Sequence, residues 1–356
     1  MSTPGSSTRS GSRSSNPEYV TARVRARRGA LFGDDEYSKL VRMGPAEIAR
    51  YMEESEYERE INELGTRHSG VDLIEYALNR NLARHFDALL DFAEGQLYDL
   101  IARYLRKFDA WNAKTVIRGV YTDTDNEAIE TDLIRAGEFD DALVARLLES
   151  GTVEDVVTTL NDTIFGDVVD DAFEDFQESD TLVPLENAID RAFYEQLLTE
   201  LPTGEAVGLY REFLEAEIDF RNARNALRLA RSGADIDPGG YFIEGGRLFS
   251  ASEMTTLVAN TDELVTRIRE SIYGDQLSEA LEELEAADSL IDFERALESA
   301  LLRYSQQLGN VHPLSISPIV AYILMKEREV TNIRAIARGR EAGLSEAAIE
   351  QELVIL

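Results

Sequence analysis

The sequence contains no cysteine among its 356 residues, which excludes disulfide bonds and thiolate metal sites alike. It also lacks a long apolar stretch. The longest run, Ile319 to Met325, is seven residues, whereas a membrane-spanning helix takes about 20. No apolar segment of the secretory type opens the chain, so a cytoplasmic location is expected. Histidine is rare: His68, His85 and His312 stand far apart with no ligand spacing around them. They read as surface or cap residues rather than a metal site. A P-loop and a G-x-S-x-G elbow are missing as well. Gly239-Gly240 and Gly245-Gly246 lack a following Gly-Lys-Ser/Thr and read as a turn. No catalytic, cofactor-binding or metal-ligating residue is assigned.

Positive charge is in deficit. Asp and Glu number 68 against 36 Lys and Arg, for a net charge of −32, and the lysines are limited to Lys39, Lys107, Lys114 and Lys326. A surface so acidic repels phosphate backbones, so nucleic acid is not an expected partner and proteins are. Carboxylate neighbours such as Asp170-Asp171 are too common in this chain to mark acid–base chemistry. High charge often accompanies disorder, but 44% hydrophobic residues in regular periodicity describe a folded protein. The acidic, lysine-poor shell points to molar salt, where a Debye length of about 3 Å at 1 M screens the self-repulsion.

What the sequence does contain is helical periodicity. Ile74, Ala77, Leu78, Leu82, Leu89 and Leu90 recur at three- and four-residue spacing. Gly44-Pro45, Val183-Pro184, Leu201-Pro202 and Ser317-Pro318 place prolines where helices begin and a missing N–H is harmless. Residues 1–16 are small and polar and are expected to form a flexible tail.

The chain also repeats itself. Asp109-Ala-Trp-Asn112-Ala-Lys114-Thr-Val-Ile-Arg118, Asp219-Phe-Arg-Asn222-Ala-Arg224-Asn-Ala-Leu-Arg228 and Glu329-Val-Thr-Asn332-Ile-Arg334-Ala-Ile-Ala-Arg338 align without gaps, each 110 residues after the last. Such self-similarity defines a repeat architecture. A second marker precedes each by 33 to 35 residues: Glu75-Tyr-Ala77-Leu78, Glu186-Asn-Ala188-Ile189 and Glu294-Arg-Ala296-Leu297. A third, Ile164-Phe165-Gly166-Asp167 and Ile272-Tyr273-Gly274-Asp275, is weakly matched in the first repeat by Tyr57 to Glu60. The expected fold is all-α, with helical repeats at 17–122, 123–232 and 233–356, each ending in two long antiparallel helices that close near Gly119, Gly233 and Gly339. Three such hairpins can pack around one axis.

At 100° per residue, the acid and Asn of each motif flank an apolar face, Ala113, Val116, Ile117 and Val120 in the first. Asp109, Asn112, Asp219, Asn222, Glu329 and Asn332 read as buried polar contacts between helices, because an unpartnered buried polar group costs about 1–3 kcal/mol. Lys114, Arg118, Arg224, Arg228, Arg334 and Arg338 form a second edge, with two readings left open: ion pairing with carboxylates of adjacent helices, or three basic stripes lining a central cavity. Arg23-Val-Arg25-Ala-Arg27-Arg28, on the first helix, is a basic cluster of a kind that binds nucleic acid or anionic lipid. Pairing with acidic neighbours is the favoured reading there.

With these residues in place, the chain resembles the C subunit of archaeal-type ATP synthases, equivalent to the d subunit of vacuolar-type ATPases. The resemblance is carried by Tyr19-Val-Thr-Ala22-Arg23-Val-Arg25-Ala26-Arg27, by the triplicated motif, and by Glu329 through Arg338-Gly339-Arg340 to Gly343-Leu344. It covers about residue 17 to the end, and the acidic surface and Ser/Arg-rich tail depart from it. It implies a pseudo-threefold, funnel-shaped socket on the cytoplasmic face of the membrane, peripheral, without cofactor or bound nucleotide. The implied partners are the central-shaft subunits and the membrane proteolipid ring, and the implied role is to couple them by torque. The basic edge is then a candidate cavity wall for the shaft. A general α-helical adaptor between soluble proteins is the alternative, and an acidic helical hydrolase the third reading.

Overall fold

The computed structural model describes residues 14–202, 205–232, 237–287 and 290–354. They are helical, with no strand among the described residues. The chain divides into two compact units, each assembled from distant stretches. Unit 1 combines Met1–Asp109, Ile134–Glu138 and Leu308–Gln351, and unit 2 combines Ala110–Leu133, Phe139–Gln307 and Glu352–Leu356.

In chain order, unit 1 opens with α1 (Pro17–Arg28), α2 (Asp34–Leu40), α3 (Pro45–Glu53), α4 (Glu58–Leu64), the long α5 (Gly70–Phe92) and α6 (Gln96–Leu105). Next comes α7 (Lys107–Tyr121), which passes from unit 1 into unit 2 after Asp109. Unit 2 continues with α8 (Asn126–Asp132), α9 (Asp141–Leu148), α10 (Val153–Leu160), α11 (Gly166–Ser179), α12 (Val183–Thr199) and α13 (Glu205–Ser232). After a 3₁₀ turn, Pro238–Tyr241, come α14 (Ala251–Leu257), α15 (Thr261–Arg269), α16 (Gly274–Ala287) and α17 (Leu290–Val311). Unit 1 is completed by α18 (Ser317–Glu341) and α19 (Glu346–Glu350).

Local chemistry sets these boundaries. Pro17 and Pro45 open α1 and α3, and Pro184 and Pro318 stand second in α12 and α18; Pro202 lies between α12 and α13 and, against the sequence expectation, opens neither. Glu36 and Glu47 accept the N–H of Gly33 and Gly44 at 3.0 and 2.9 Å. Thr152 with Asp155 and Ser250 with Glu253 form reciprocal capping boxes at α10 and α14. One turn recurs three times. The hydroxyls of Ser55, Thr163 and Ser271 donate back to the carbonyls of Met52, Leu160 and Ile268, and accept the N–H of Tyr57, Phe165 and Tyr273. Those three aromatic rings are buried. Gly166 and Gly274 follow two of them, because a Cβ there would fall 2.4 and 2.0 Å from the carbonyl oxygens of Asn161 and Arg269.

In unit 1, α18 packs on α5 with α1 against both. The apolar stripe of α5, including Ile74, Leu78, Leu82, Phe86 and Leu89, is buried, as are Ile319, Val320, Ile323, Val330, Ile333 and Ile336 of α18. Each such side chain contributes about 1.5–3 kcal/mol. His85 is the exception to its sequence reading. It is buried inside unit 1, neither on the surface nor at a cap, where its Nδ1 accepts from Tyr322 Oη at 2.5 Å, with Arg27 Nη1 at 3.4 Å. A guanidinium is donor-only, so the ring proton is assigned to Nε2. Burial, with Lys326 and Arg27 nearby, pulls His85 down to about 2.

In unit 2, Phe220, Ala223, Ala226 and Leu227 of α13 share a core with Met254, Leu264, Ile268, Tyr273, Leu281 and Phe293. Gly119 and Gly339 fall inside the last turns of α7 and α18 and make room for Ile129 and Ile349, to which a Cβ would approach within 2.4 and 2.8 Å. Gly233 lies outside the described residues, as does the expected tail up to residue 13. Asn16 donates to the Phe92 carbonyl and accepts from Glu94 N–H, both at 2.9 Å, which fixes the start of α1 on the end of α5.

Candidate functional site

The motif helices α7, α13 and α18 follow one burial pattern. In each, the Asn and the next apolar residue are buried, the first basic residue is partly covered, and the closing Arg118, Arg228 or Arg338 is exposed. The apolar face expected between the two polar edges is buried at Ala113, Val116 and Ile117 and at Ala223, Ala226 and Leu227.

The acid-and-Asn edge is inside. Asp109, Asn112, Asp219, Asn222, Glu329 and Asn332 are all buried. Asp109 accepts the N–H of Glu138 at 2.7 Å, and Asp219 accepts those of Arg247 and Leu248 at 2.8 Å each. Both acids are reached through a glycine, since a Cβ on Gly137 or Gly246 would lie 2.1 Å from a carboxylate oxygen. The second glycine pair thus belongs to a turn that brings backbone donors to a buried acid. Burial raises Asp219 from its ordinary range, and the two backbone N–H groups oppose that rise. Asn222 holds the same turn by both ends, donating to the Ile243 carbonyl at 2.8 Å and accepting its N–H at 3.0 Å.

Glu329 is satisfied differently. Lys326, one turn earlier on α18, meets it at 2.9 Å with both side chains buried, and the N–H of Phe32 lies at 3.4 Å. The Lys326 ammonium also donates to Tyr57 Oη at 3.0 Å and sits 4.3 Å from the centre of that ring. Burial lowers the Lys326 pKa, and Glu329 works against the fall.

The basic edge is paired. Lys114 and Arg118 meet Asp190 and Glu186 of α12, each at 2.5 Å. Arg228 makes a two-pronged contact with Glu294 of α17 at 2.5 Å per prong. Arg334 meets Glu75 and Asn79 of α5 at 2.9 and 2.6 Å, and Arg338 also meets Glu75. The basic residues of the first motif therefore hold the second marker helix, those of the second hold the third, and those of the third hold the first. Burial would raise Asp190, but Arg221 and Lys114 outweigh it and keep the carboxyl below its usual range. Burial together with Arg221 and Arg228 pulls Arg224 down to about 10, still cationic at neutral pH.

The remaining two lysines differ from each other: Lys107 pairs with Glu327 at 3.0 Å and lies over the Tyr104 ring, while Lys39, near Glu36 at 3.7 Å, is exposed. Among the described residues no group of three or more His, Asp and Glu is placed to hold a metal ion. No helix among them is long and apolar enough to cross a membrane.

The model of the ATP synthase (C/AC39) subunit family matches residues 20–352. The chain belongs to this family. It is 70% identical over 342 residues to the C subunit of the A-type ATP synthase of Haloferax volcanii, covering 96% of this chain and 98% of that one. It is 66% identical to the protein of the same name from Haloquadratum walsbyi, over 96% and 99% of the two chains. A more distant relative, from Methanococcoides burtonii, is 36% identical over 96% of this chain and 95% of its own. Membership makes the chain a non-catalytic coupling subunit of an A-type ATP synthase, with high-identity relatives in halophilic archaea.

Within this ATP synthase subunit, the residues that sequence reasoning left without a role are Glu75, Glu186 and Glu294. They were visible as a recurring marker, and they are the partners of the basic edge. The signal was the matched spacing: a basic residue and an Arg four apart on one helix, facing Glu and a polar residue four apart, Glu75 with Asn79 and Glu186 with Asp190, on an antiparallel helix.

Proposed function

We propose that the chain is a funnel-shaped connector built of three repeats, which receives the foot of the central shaft and rests on the membrane proteolipid ring as a peripheral subunit. Ring rotation then reaches the shaft through this chain and drives ATP synthesis on other subunits. The observation that carries the reading is the motif-to-marker pairing, in which each basic edge clamps the first long helix of another repeat. A part that transmits torque must resist twisting between its repeats, and directional charge-assisted bonds between long helices supply that resistance without any reactive residue.

The same edge is the proposed shaft contact. Lys114, Arg224 and Arg334 are largely covered, whereas the side chains of Arg118, Arg228 and Arg338 remain 48%, 54% and 57% exposed. A guanidinium has five N–H donors, so the exposed heads of Arg118 and Arg228 can add bonds to an acidic or carbonyl-lined shaft foot. Size exclusion and calorimetry with the cognate shaft subunits in molar potassium chloride test the reading. A stoichiometric complex is expected, weakened when Arg118, Arg228 and Arg338 are all replaced by Glu. Unchanged affinity in a variant whose far-UV dichroism is native removes the basic edge from the shaft contact. Folded wild-type chain with no binding removes the connector.

A further inference from the structure

Arg224 does not do what the other residues of the basic edge do. Lys114, Arg118, Arg228, Arg334 and Arg338 each meet a carboxylate. Arg224 holds the place of Lys114 and Arg334 in its own motif, yet among the described residues it forms no ion pair or hydrogen bond, and its Nε–H is buried without an acceptor. Glu298, four residues after Glu294 and so the counterpart of Asp190 and Asn79, does not meet it. An unpaired arginine is ordinary where water reaches it. Arg23, Arg25, Arg27 and Arg28 of α1 form no ion pair among the described residues either, which corrects the pairing expected from the sequence. Arg25 and Arg28 are exposed, so water serves their donors. Arg224 is partly covered, and a guanidinium N–H taken out of water without an acceptor costs free energy.

The surroundings explain why no carboxylate answers it. Glu294 and Asp190 are the carboxylates that act on Arg224 most. Asp190 is taken by Lys114 at 2.5 Å, with Arg221 at 3.5 Å, and Glu294 by both prongs of Arg228 at 2.5 Å. At 100° per residue Arg221, Arg224 and Arg228 fall within about 60° of arc on α13, so they share one face. Glu217, whose charge acts on Arg221, is buried. Lys114, Arg221, Arg224 and Arg228 thus face Asp190, Glu217 and Glu294. One cation is in surplus, in a chain whose net charge is −32.

We propose that this network in unit 2 is completed from outside, by a carboxylate side chain of the central-shaft foot that docks on Arg224 with the exposed head of Arg228 beside it. The proposal rests on the connector reading and adds the chemistry of the partner at one position. Charge complementarity selects the occupant: a surplus cation whose neighbours are already paired admits one anionic group, and the planar guanidinium fork matches a carboxylate. In the free chain the unanswered guanidinium, crowded by Arg221 and Arg228, works against stability. Binding relieves that cost, so stability and shaft affinity pull in opposite directions at this residue.

The test is calorimetry of the full chain with the cognate shaft subunits in molar potassium chloride, beside urea unfolding of the chain alone, for the wild type, R224Q, R224K and R328Q. Arg328 on α18 is a second partly covered arginine with unpartnered N–H groups, outside the basic edge, and controls for the loss of any such cation. R224Q is expected to weaken shaft affinity about tenfold or more, the worth of a bond between charged groups, while its urea midpoint stays level or rises. R224K, which keeps the charge without the fork, falls between, and R328Q binds like the wild type. Wild-type chain that binds no shaft removes the connector reading and this proposal with it. Wild-type binding matched by R224Q removes this proposal alone, as does an equal loss in R328Q. A lowered midpoint or failed folding of R224Q also overturns it, by showing that Arg224 already has a stabilising partner within the chain. Inorganic phosphate that raises the wild-type midpoint at matched ionic strength, leaves that of R224Q unmoved and does not affect shaft affinity identifies a free ion as the ligand and overturns it as well.

Discussion

Asp219 and Glu329 hold the same place in two copies of one motif, yet their charges are stabilised by different means. Asp219 is held by two backbone N–H groups of the turn that follows its own helix, which Gly246 allows to come close. After Glu329, in the last motif, the N-terminal segment supplies the backbone donor instead, the single N–H of Phe32 at 3.4 Å. The deficit is made good by a buried ammonium, Lys326. Unit 1 joins the N-terminal stretch to Leu308–Gln351, and there a side chain replaces a loop. The consequence is unequal tolerance: a carboxylate held by backbone depends on a turn, and one held by a lysine depends chiefly on that side chain.

The comparison breaks most sharply at Lys326. Lys326→Met leaves the Glu329 carboxylate buried without its cation, and removing one partner of a buried pair costs about 3–5 kcal/mol; urea unfolding in molar potassium chloride is expected to show that loss. Asp219→Ala strands the N–H groups of Arg247 and Leu248 instead. Each bond to a charged acceptor contributes about 1.5–3 kcal/mol, and the part-buried N–H of Arg247 can turn to water, which leaves the buried Leu248 N–H as the main cost; a smaller loss is expected, and a larger one than for Lys326→Met would reverse the ranking of the two sites. The smallest effect is titration in unit 1 at His85. Its folded pKa, about 2, lies below the ordinary 6.5. Both states of the imidazole are neutral above pH 6.5; below it only the unfolded chain takes the proton, so stability falls as pH drops, by about 1.4 kcal/mol per pH unit from this residue. Between pH 6.5 and 5 the unfolding midpoint should decline more steeply for the wild type than for His85→Asn, and parallel profiles would exclude the imidazole as the cause.

The helical class, the helix starts at Pro45, Pro184 and Pro318 and the burial of the acid-and-Asn edge were legible because each rests on near-neighbour spacing, which a helix converts directly into a face. Tyr57 was recognisable at the third marker despite the weak match, and its ring is buried like those of Phe165 and Tyr273. The pairing of Arg118 with Glu186 was not assigned, since spacing fixes which side chains share a face but not which face another helix offers it. His85 was misread for the same reason. Its place inside unit 1 depends on Tyr322, 237 residues away. The long second helix of the first repeat was also too simply read: Arg106 separates α6 from α7, with neither proline nor glycine at the break, whereas α13 and α18 run unbroken. Charge balance failed at α1, where an excess of carboxylates in the chain says nothing about whether one lies within reach of Arg25 or Arg28.

The fate of the four lysines carries a practical consequence. Lys107, Lys114 and Lys326 are held in ion pairs and largely or wholly covered, and Lys39 on α2 alone stands mostly in solvent. An amine-directed acylating reagent at neutral pH therefore finds one accessible lysine besides the terminal amine. Nature's economy in lysine leaves a chain that accepts a fluorophore or surface tether at Lys39 without mutagenesis, a fixed attachment point for testing whether the molecule turns.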